Sequence, residues 1–387
     1  MPKKSIKDTN LKYKRIFLRV DYNVPIVKRQ VVDDFRIKQT IPTIKYLLDS
    51  NVKKIYIGSH LGRPHGIKSE ALSSKPVYNI LKEILSDIKI GFGTIGEELP
   101  DNKIVLLENL RFHAAEEKYD AQLPGHREYR NWFMAYCDLV VMDAFGCLHR
   151  DETSITRTGL PVVSGLLVEK ELKIANELLN GGIDLVILGG AKISDKLRLI
   201  KTLLERKVKK IFLGGGMCFT VLSNFFEKDV GRSLHEENMK AEITSMYEKA
   251  KEVGAKIILP VDYLVIDNES KISSNIMNNE KAVDIGPKSI KVIEDLIKES
   301  DTIFWNGPPG KFEDDISSEG TKILIKMLQE HVKMGKRCVA GGGDTASAIS
   351  MFGFPSEFTY VSTGGGSFLR VLEGGELPGL DAIENIK

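Results

Sequence analysis

Cysteine is scarce. Four of the 387 residues, Cys137, Cys147, Cys218 and Cys338, are scattered along the chain with no CxxC pair. That spacing supports neither a zinc ribbon nor a disulfide framework, and reduced, buried thiols are the expectation. No apolar run is long enough to span a bilayer. The opening MPKKSIKDTN has lysines with no apolar core behind them, so it does not read as a secretory signal. Excess charge is also lacking: the net charge is +2. A general nucleic-acid binder is therefore not expected, and any basic site must be a local cluster. The phosphate-loop pattern GxxxxGK followed by Ser or Thr does not occur. Gly91-Phe92-Gly93-Thr94-Ile95-Gly96 matches GxGxxG by letter, but Glu97-Glu98-Leu99-Pro100 follows. No room is left for the helix that must receive a pyrophosphate. These absences leave a cytoplasmic enzyme away from membranes as the expectation. An apolar fraction of 42% in 387 residues allows two or three domains with sizeable cores.

What the chain has is a repeated device. Residues 184–188 form a short apolar run of the kind that makes a buried strand, broken by Gly189 and Gly190. Ile193, Leu197, Ile200, Leu203 and Leu204 recur at helical spacing. A second run, 210–213, ends in Gly214-Gly215-Gly216. This is the βαβ unit of a parallel sheet. Lys192 and Lys196 follow the first glycine turn, one helical turn apart, where backbone N–H groups already favour an anion. The device returns at 302–305 with Asn306-Gly307-Pro308-Pro309, at 337–340 with Gly341-Gly342-Gly343-Asp344-Thr345, and at 360–362 with Thr363-Gly364-Gly365-Gly366. Asp344 in such a turn can hold Mg²⁺ while glycine amides hold phosphates. Residues 268–280 are polar and read as a surface excursion.

The first third is different. Strand-like runs at 15–20, 53–57, 103–107 and 138–142 are followed by Asp21 and Asn23, by His60 and Arg63, by Arg111, and by Arg150. Arg36 stands near the start of an amphipathic helix, where the macrodipole disfavours a cation. In a parallel sheet these positions share one edge. They make a pocket for a small, highly anionic molecule, since Arg suits bidentate carboxylate or phosphate contacts. A basic pocket in one half and glycine turns with lysines and an aspartate in the other fit phosphoryl transfer from a nucleotide to a small anion.

The motifs LRVDYNVP, SHLGRP, LLENLRFH, DAFGCLHR, LGGAKISDK, GGGM, LPVD, DIGPKS, WNGPPGKFE, GGGDT and STGGG resemble, in content and order, those of the phosphoglycerate kinase family over nearly the whole chain. The resemblance implies an α/β fold: two Rossmann-like three-layer α/β/α domains with mostly parallel sheets, joined by a hinge helix. Residues 1–165 would form the 3-phosphoglycerate domain, joined by a returning segment at about 373–387. Residues 166–372 would form the nucleotide domain, with 166–180 as the connecting helix. Asp21, Asn23, Arg36, His60, Arg63, Arg111 and Arg150 would bind 3-phosphoglycerate or 1,3-bisphosphoglycerate. Gly190, Lys192, Lys196, Ala282, Asn306, Pro308, Glu313, Gly342, Gly343, Asp344 and Thr345 would bind ATP or ADP, with Asp344 on Mg²⁺ and Glu313 on the ribose. Arg36, Lys192, Gly364 and Gly365, with Gly366, would act on the transferring phosphoryl group. A monomer with no nucleic-acid or membrane partner is implied. The chain departs from the family pattern at Ala282, Pro309, Lys311 and Cys147-Leu148, and Asp151 adds a carboxylate beside Arg150. The alternative is a catalytically inactive relative that binds nucleotide or a protein partner. A nicotinamide dehydrogenase fits the fold but not the sites.

Overall fold

The computed structural model describes residues 2–386. Its chain divides into two compact units, Met1–Ile174 with Glu376–Lys387, and Ala175–Gly375. The division falls inside the helix Leu166–Gly181, which is continuous across it.

In the first unit six parallel strands run in the order Ile90–Gly93, Ile104–Leu107, Lys54–Gly58, Arg15–Arg19, Leu139–Met142, Val162–Ser164. Four of them (Arg15–Arg19, Lys54–Gly58, Ile104–Leu107 and Leu139–Met142) are buried on both faces and carry charge only at Arg15, Arg19 and Lys54, because crossover segments cover a parallel sheet on each side. Helix Phe35–Asp49 packs Ile37, Ile44 and Leu47 onto one face. Helix His126–Tyr136 brings Trp132 and Phe133 to the other side, where Phe133 meets Phe17 edge-on at 4.8 Å. Gly58 is glycine because a Cβ there would lie 2.5 Å from the Phe17 ring. Gly91 and Gly93 lie within the edge strand, which runs into a turn and not a helix. The C-terminal segment returns to this unit: Glu384 N donates to Val162 O at 2.9 Å, and Gly379 N to Leu148 O at 2.9 Å.

The second unit repeats the principle. Its parallel sheet has the order Lys256–Ile258, Lys210–Leu213, Leu185–Leu188, Thr302–Asn306, Arg337–Ala340, Tyr360–Val361. The strand ends Leu213, Leu188, Asn306, Ala340 and Val361 therefore open onto one edge. A smaller antiparallel sheet joins Ser270–Ser273, Tyr263–Ile266 and Lys281–Ile285. The stretch 268–280, expected as a surface excursion, includes Ser270–Ser273, a largely exposed edge strand. Ser-Lys-Ile-Ser carries too little alternation to announce itself. Among the described residues no helix is long and apolar enough to cross a membrane.

Helix Leu166–Gly181 starts on a buried carboxylate. Asp143 Oδ1 accepts from Leu167 N at 2.9 Å and Val168 N at 3.3 Å, while Thr43 Oγ1 accepts from Leu166 N at 3.1 Å. Burial pushes the Asp143 carboxyl up to about 7, against the hydrogen bonds that favour its charge. The folded protein thus holds a proton that the unfolded chain releases near pH 4. Stability from this group is complete below about pH 4 and is lost as pH rises through 7. Asp284 behaves in the same direction, so Asp143→Asn should remove part of the decline, not all of it. Melting curves at pH 5 and pH 8 should show the variant gaining about 2–4 °C on the parent at pH 8, roughly 2–3 kcal/mol at this chain length. An equal shift at both pH values would contradict the assignment.

Candidate functional site

The first unit gathers its polar groups at the strand ends beyond Arg19, Gly58, Leu107 and Met142. Arg36 is the second residue of its helix and is half-buried. Its Nη1 donates to Asp21 Oδ2 at 2.9 Å and to Asn23 O at 3.3 Å. The cation placed against the helix dipole therefore has an internal carboxylate as partner. Asn23 Oδ1 accepts from Gly62 N at 3.0 Å, which ties the loop after the first strand to the loop bearing His60 and Arg63. Burial opposes ionisation of Asp21, yet Arg36 and then His60 hold its carboxyl below the ordinary value. His60 is 1% exposed. Burial first, with Arg19 and Arg111 adding to it, lowers its imidazole to about 4, so it is neutral near pH 7. Its Nδ1 lies 3.7 Å from Cys147 Sγ, and its Nε2 has no hydrogen-bond partner among the described residues.

Arg111 is buried and Arg150 half-buried, and both reach Glu152. Arg63 is exposed and lines a cavity of about 500 Å³ with Arg150, His149, Glu152 and Lys118. Asp151 does not compete for Arg150: its carboxylate pairs with Arg157 and accepts from Thr156 Oγ1 at 2.6 Å. Behind these groups lies fully buried Arg19, which donates to Ser154 Oγ at 2.7 Å and to Glu152 Oε2 at 3.0 Å. Asp21, His60 and Cys147 offer donor atoms within 4.8 Å of one another, a set with the chemistry of a zinc site. The arginines around it give the floor a field that suits an anion instead.

In the second unit the glycine turns meet as backbone. A Cβ on Gly189 would stand 1.9 Å from Pro308 O, and one on Gly215 2.6 Å from Gly190 O. Gly190 has φ +117 and Gly342 φ +118, positions that only glycine takes without strain. Asn306 binds Gly341 O through Nδ2 at 2.5 Å and accepts from Lys196 Nζ. Thr345 Oγ1 accepts from Gly307 N at 2.7 Å and donates to Gly341 O at 2.9 Å. A cleft of about 350 Å³ joins Gly190, Pro308, Glu313 and Asp344 to an apolar wall that includes Phe219, Tyr263, Ala282, Val283 and Ile285. The antiparallel sheet supplies much of that wall. Ala282 is held by its amide, which donates to Ser233 Oγ at 2.9 Å. Lys311 lies at the lining of the cleft, with its ammonium half-exposed and paired to Asp314. Gly365 approaches Gly343, its site for a Cβ lying 3.0 Å from Gly343 N. Helices Gly343–Phe352 and Gly365–Leu372 thus begin side by side, with their N-terminal amides on one edge.

One expectation is corrected. Lys192 and Lys196 are not on a helix, which begins at Leu197. Ser194 N donates to Glu236 Oε2 at 3.0 Å and Ser194 Oγ to Oε1 at 2.6 Å, which holds the segment in a turn. Lys192 is exposed, whereas Lys196 is drawn inward, and burial lowers its ammonium below the ordinary value. Two groups escape sequence reasoning: Arg19, read as part of a strand, and Glu152. The signal for Arg19 is a lone cation between Leu18 and Val20; that for Glu152 is a carboxylate two residues beyond Arg150.

Asp344 is exposed in the first turn of helix Gly343–Phe352, beside the glycine amides. One hard oxygen donor next to a phosphate cradle fits Mg²⁺, which keeps most of its waters and shares the phosphates.

A sequence model of the family described as phosphoglycerate kinase matches residues 6–375. A phosphoglycerate kinase of Yarrowia lipolytica is 39% identical over 414 residues, covering 100% of this chain and 99% of its own. One of Debaryomyces hansenii is 38% identical over 413 residues, with 100% and 99% covered. The solved phosphoglycerate kinase of Coxiella burnetii superposes with a TM-score of 0.82 at 30% identity, covering 98% of both chains. That of Pyrococcus horikoshii gives 0.80 at 28% identity, also covering 98% of both.

The contact at Gly189 has a direct consequence. Both atoms that a Cβ would meet first, Pro308 O and C, are backbone, so no side chain can give way. Gly189→Ala should cost about 2–4 kcal/mol and abolish nucleotide binding. Denaturant unfolding with a nucleotide titration checks this, and a variant matching the parent in both would show that the close approach is not needed.

Proposed function

The chain belongs to the phosphoglycerate kinase family, and from that premise we propose how its residues divide the work of a phosphotransferase. The reaction is phosphoryl transfer between ATP and the carboxylate of 3-phosphoglycerate, which in reverse gives ATP from 1,3-bisphosphoglycerate and ADP. The substrate half is assigned to Asp21, Asn23, Arg36, His60, Arg63, Arg111 and Arg150. The observation that carries this assignment is their convergence on one sheet edge, four guanidinium groups beside a neutral imidazole. Neutral His60 can donate one hydrogen bond to an oxyanion without adding charge.

The nucleotide half is assigned to the cleft between the glycine turns and the apolar wall. Ala282, Tyr263 and Val283 would face the base, Glu313 the ribose, and Gly190, Pro308, Gly342, Gly343, Thr345, Lys192 and Lys196 the phosphates. Lys196, already bonded to Asn306, is the more fixed of the two lysines. Asp344 would hold Mg²⁺, which when bound neutralises phosphate charge.

The acceptor carboxylate is ionised at pH 7 and needs no general base. The obstacle is to bring two anions in line, so positioning and charge neutralisation supply the acceleration. Arg36 and Lys192 would offset the equatorial oxygens, and the amides of Gly364, Gly365 and Gly366 would receive the phosphoryl group at a helix start. Because different units carry the two ligands, transfer requires a step that brings them together and excludes water. A cytoplasmic monomer is the proposed working form. A catalytically inactive relative finds no support, since the curated relatives named above are phosphoglycerate kinases.

Lys192→Ala should lower kcat for Mg²⁺-dependent transfer from ATP to 3-phosphoglycerate by about a thousandfold, with a smaller change in nucleotide affinity. Coupled assays and nucleotide titration measure the two quantities. A variant with near-parent kcat would remove Lys192 from the transition state.

A further inference from the structure

Three arginines close on one carboxylate at the floor of the anion pocket. Glu152 is 4% exposed. Its Oε1 is met by Arg111 Nη2 and by Arg150 Nη1 at 3.3 Å, and its Oε2 by Arg19 Nη2 at 3.0 Å. Arg111 is tied on further sides: its Nη1 donates to Gly62 O at 2.7 Å, and its Nε lies 3.4 Å from Glu117 Oε1. An incoming anion that pairs with Arg111 must therefore share its guanidinium with Glu152 or exchange with it. Such an exchange is feasible for the molecule. Glu116, fully buried beside Arg19 at 3.8 Å and held by Ser154 and Tyr129, stays behind as a partner for the buried guanidinium.

We propose that Glu152 is a resident carboxylate that competes with substrate for Arg111 and Arg150, and so sets the charge a ligand must carry to be admitted. The proposal rests on the assignment of 3-phosphoglycerate to this pocket. Replacing one carboxylate by another gains no charge interaction and costs the freedom of the ligand. A simple hydroxy acid is thus refused. A phosphorylated hydroxy acid brings a phosphate dianion as well as its carboxylate, and arginine forks bind phosphate bidentately. Because Arg111 and Glu152 are both nearly inaccessible, salt screens the contest little. The glutamate thereby turns a generally basic pocket into one that selects by ligand charge.

Calorimetric titration of the whole chain with 3-phosphoglycerate and with D-glycerate, its unphosphorylated counterpart, tests this. The parent should bind 3-phosphoglycerate and give no measurable heat with glycerate. Glu152→Gln keeps the shape and removes the charge. It should bind 3-phosphoglycerate at least about tenfold more tightly and acquire measurable affinity for glycerate. Weaker or unchanged binding of 3-phosphoglycerate would overturn the proposal, weaker binding marking Glu152 as a residue that aligns the arginines. If a thermal melt shows Glu152→Gln to be unfolded, Glu152→Asp decides. Its charge is kept but withdrawn by one methylene, so tighter binding supports the competition and equal or weaker binding refutes it. Arg63→Gln in the parent tests the underlying assignment separately. It must weaken 3-phosphoglycerate binding, and if it does not, the pocket itself is misassigned whatever Glu152 does.

Discussion

Parallel strands cannot be joined by tight turns. Each must be followed by a crossover, so the loops at the carboxyl ends of all strands emerge along one edge. Both units depend on this constraint. In the first it collects side chains from residues as distant as Asp21 and Glu152. In the second it stacks glycine turns so closely that the backbone of one fills the space a side chain would need in the next. One edge thus presents guanidinium groups and the other backbone amides, two different answers to the same task of receiving an anion.

The two edges differ in how they tolerate their own charge. Backbone amides carry partial charges and need only glycine and good geometry. Buried guanidinium groups need counter-ions when no ligand is bound, or the unpaired charge becomes costly. Asp21 answers Arg36, Glu116 and Glu152 answer Arg19, and Glu152 also answers Arg111 and Arg150. The pocket is accordingly close to neutral as a set, in line with a chain whose net charge is only +2. Affinity for a small anion then comes from exchange of partners at the buried arginines together with exposed Arg63.

Much of this was legible in the sequence because parallel strands are buried on both faces. Runs such as Leu185–Leu188 and Ile104–Leu107 are continuously apolar and end in glycine or in polar site residues, so strand and ligand edge are read together. The features that stayed hidden depend on distant partners. The helix after Gly190 starts late because Glu236, more than forty residues on, takes the Ser194 amide. Ser270–Ser273 is a strand only because Tyr263–Ile266 lies beside it. Glu152 looks like an ordinary surface glutamate until the fold surrounds it with arginines from three separate segments. Local periodicity carries no trace of such pairings.

The central claim is that the two anionic ligands are received separately, one by each strand edge. Amide hydrogen exchange of the whole chain with each ligand alone tests it most directly. With 3-phosphoglycerate, protection should rise at 21–23, 60–63, 109–111 and 147–152 and leave the glycine turns of the second unit unchanged. With MgADP it should rise at 189–196, 307–313 and 342–345 and leave those first segments unchanged. Protection of the glycine turns by 3-phosphoglycerate, without protection at 60–63 and 109–111, would contradict the account.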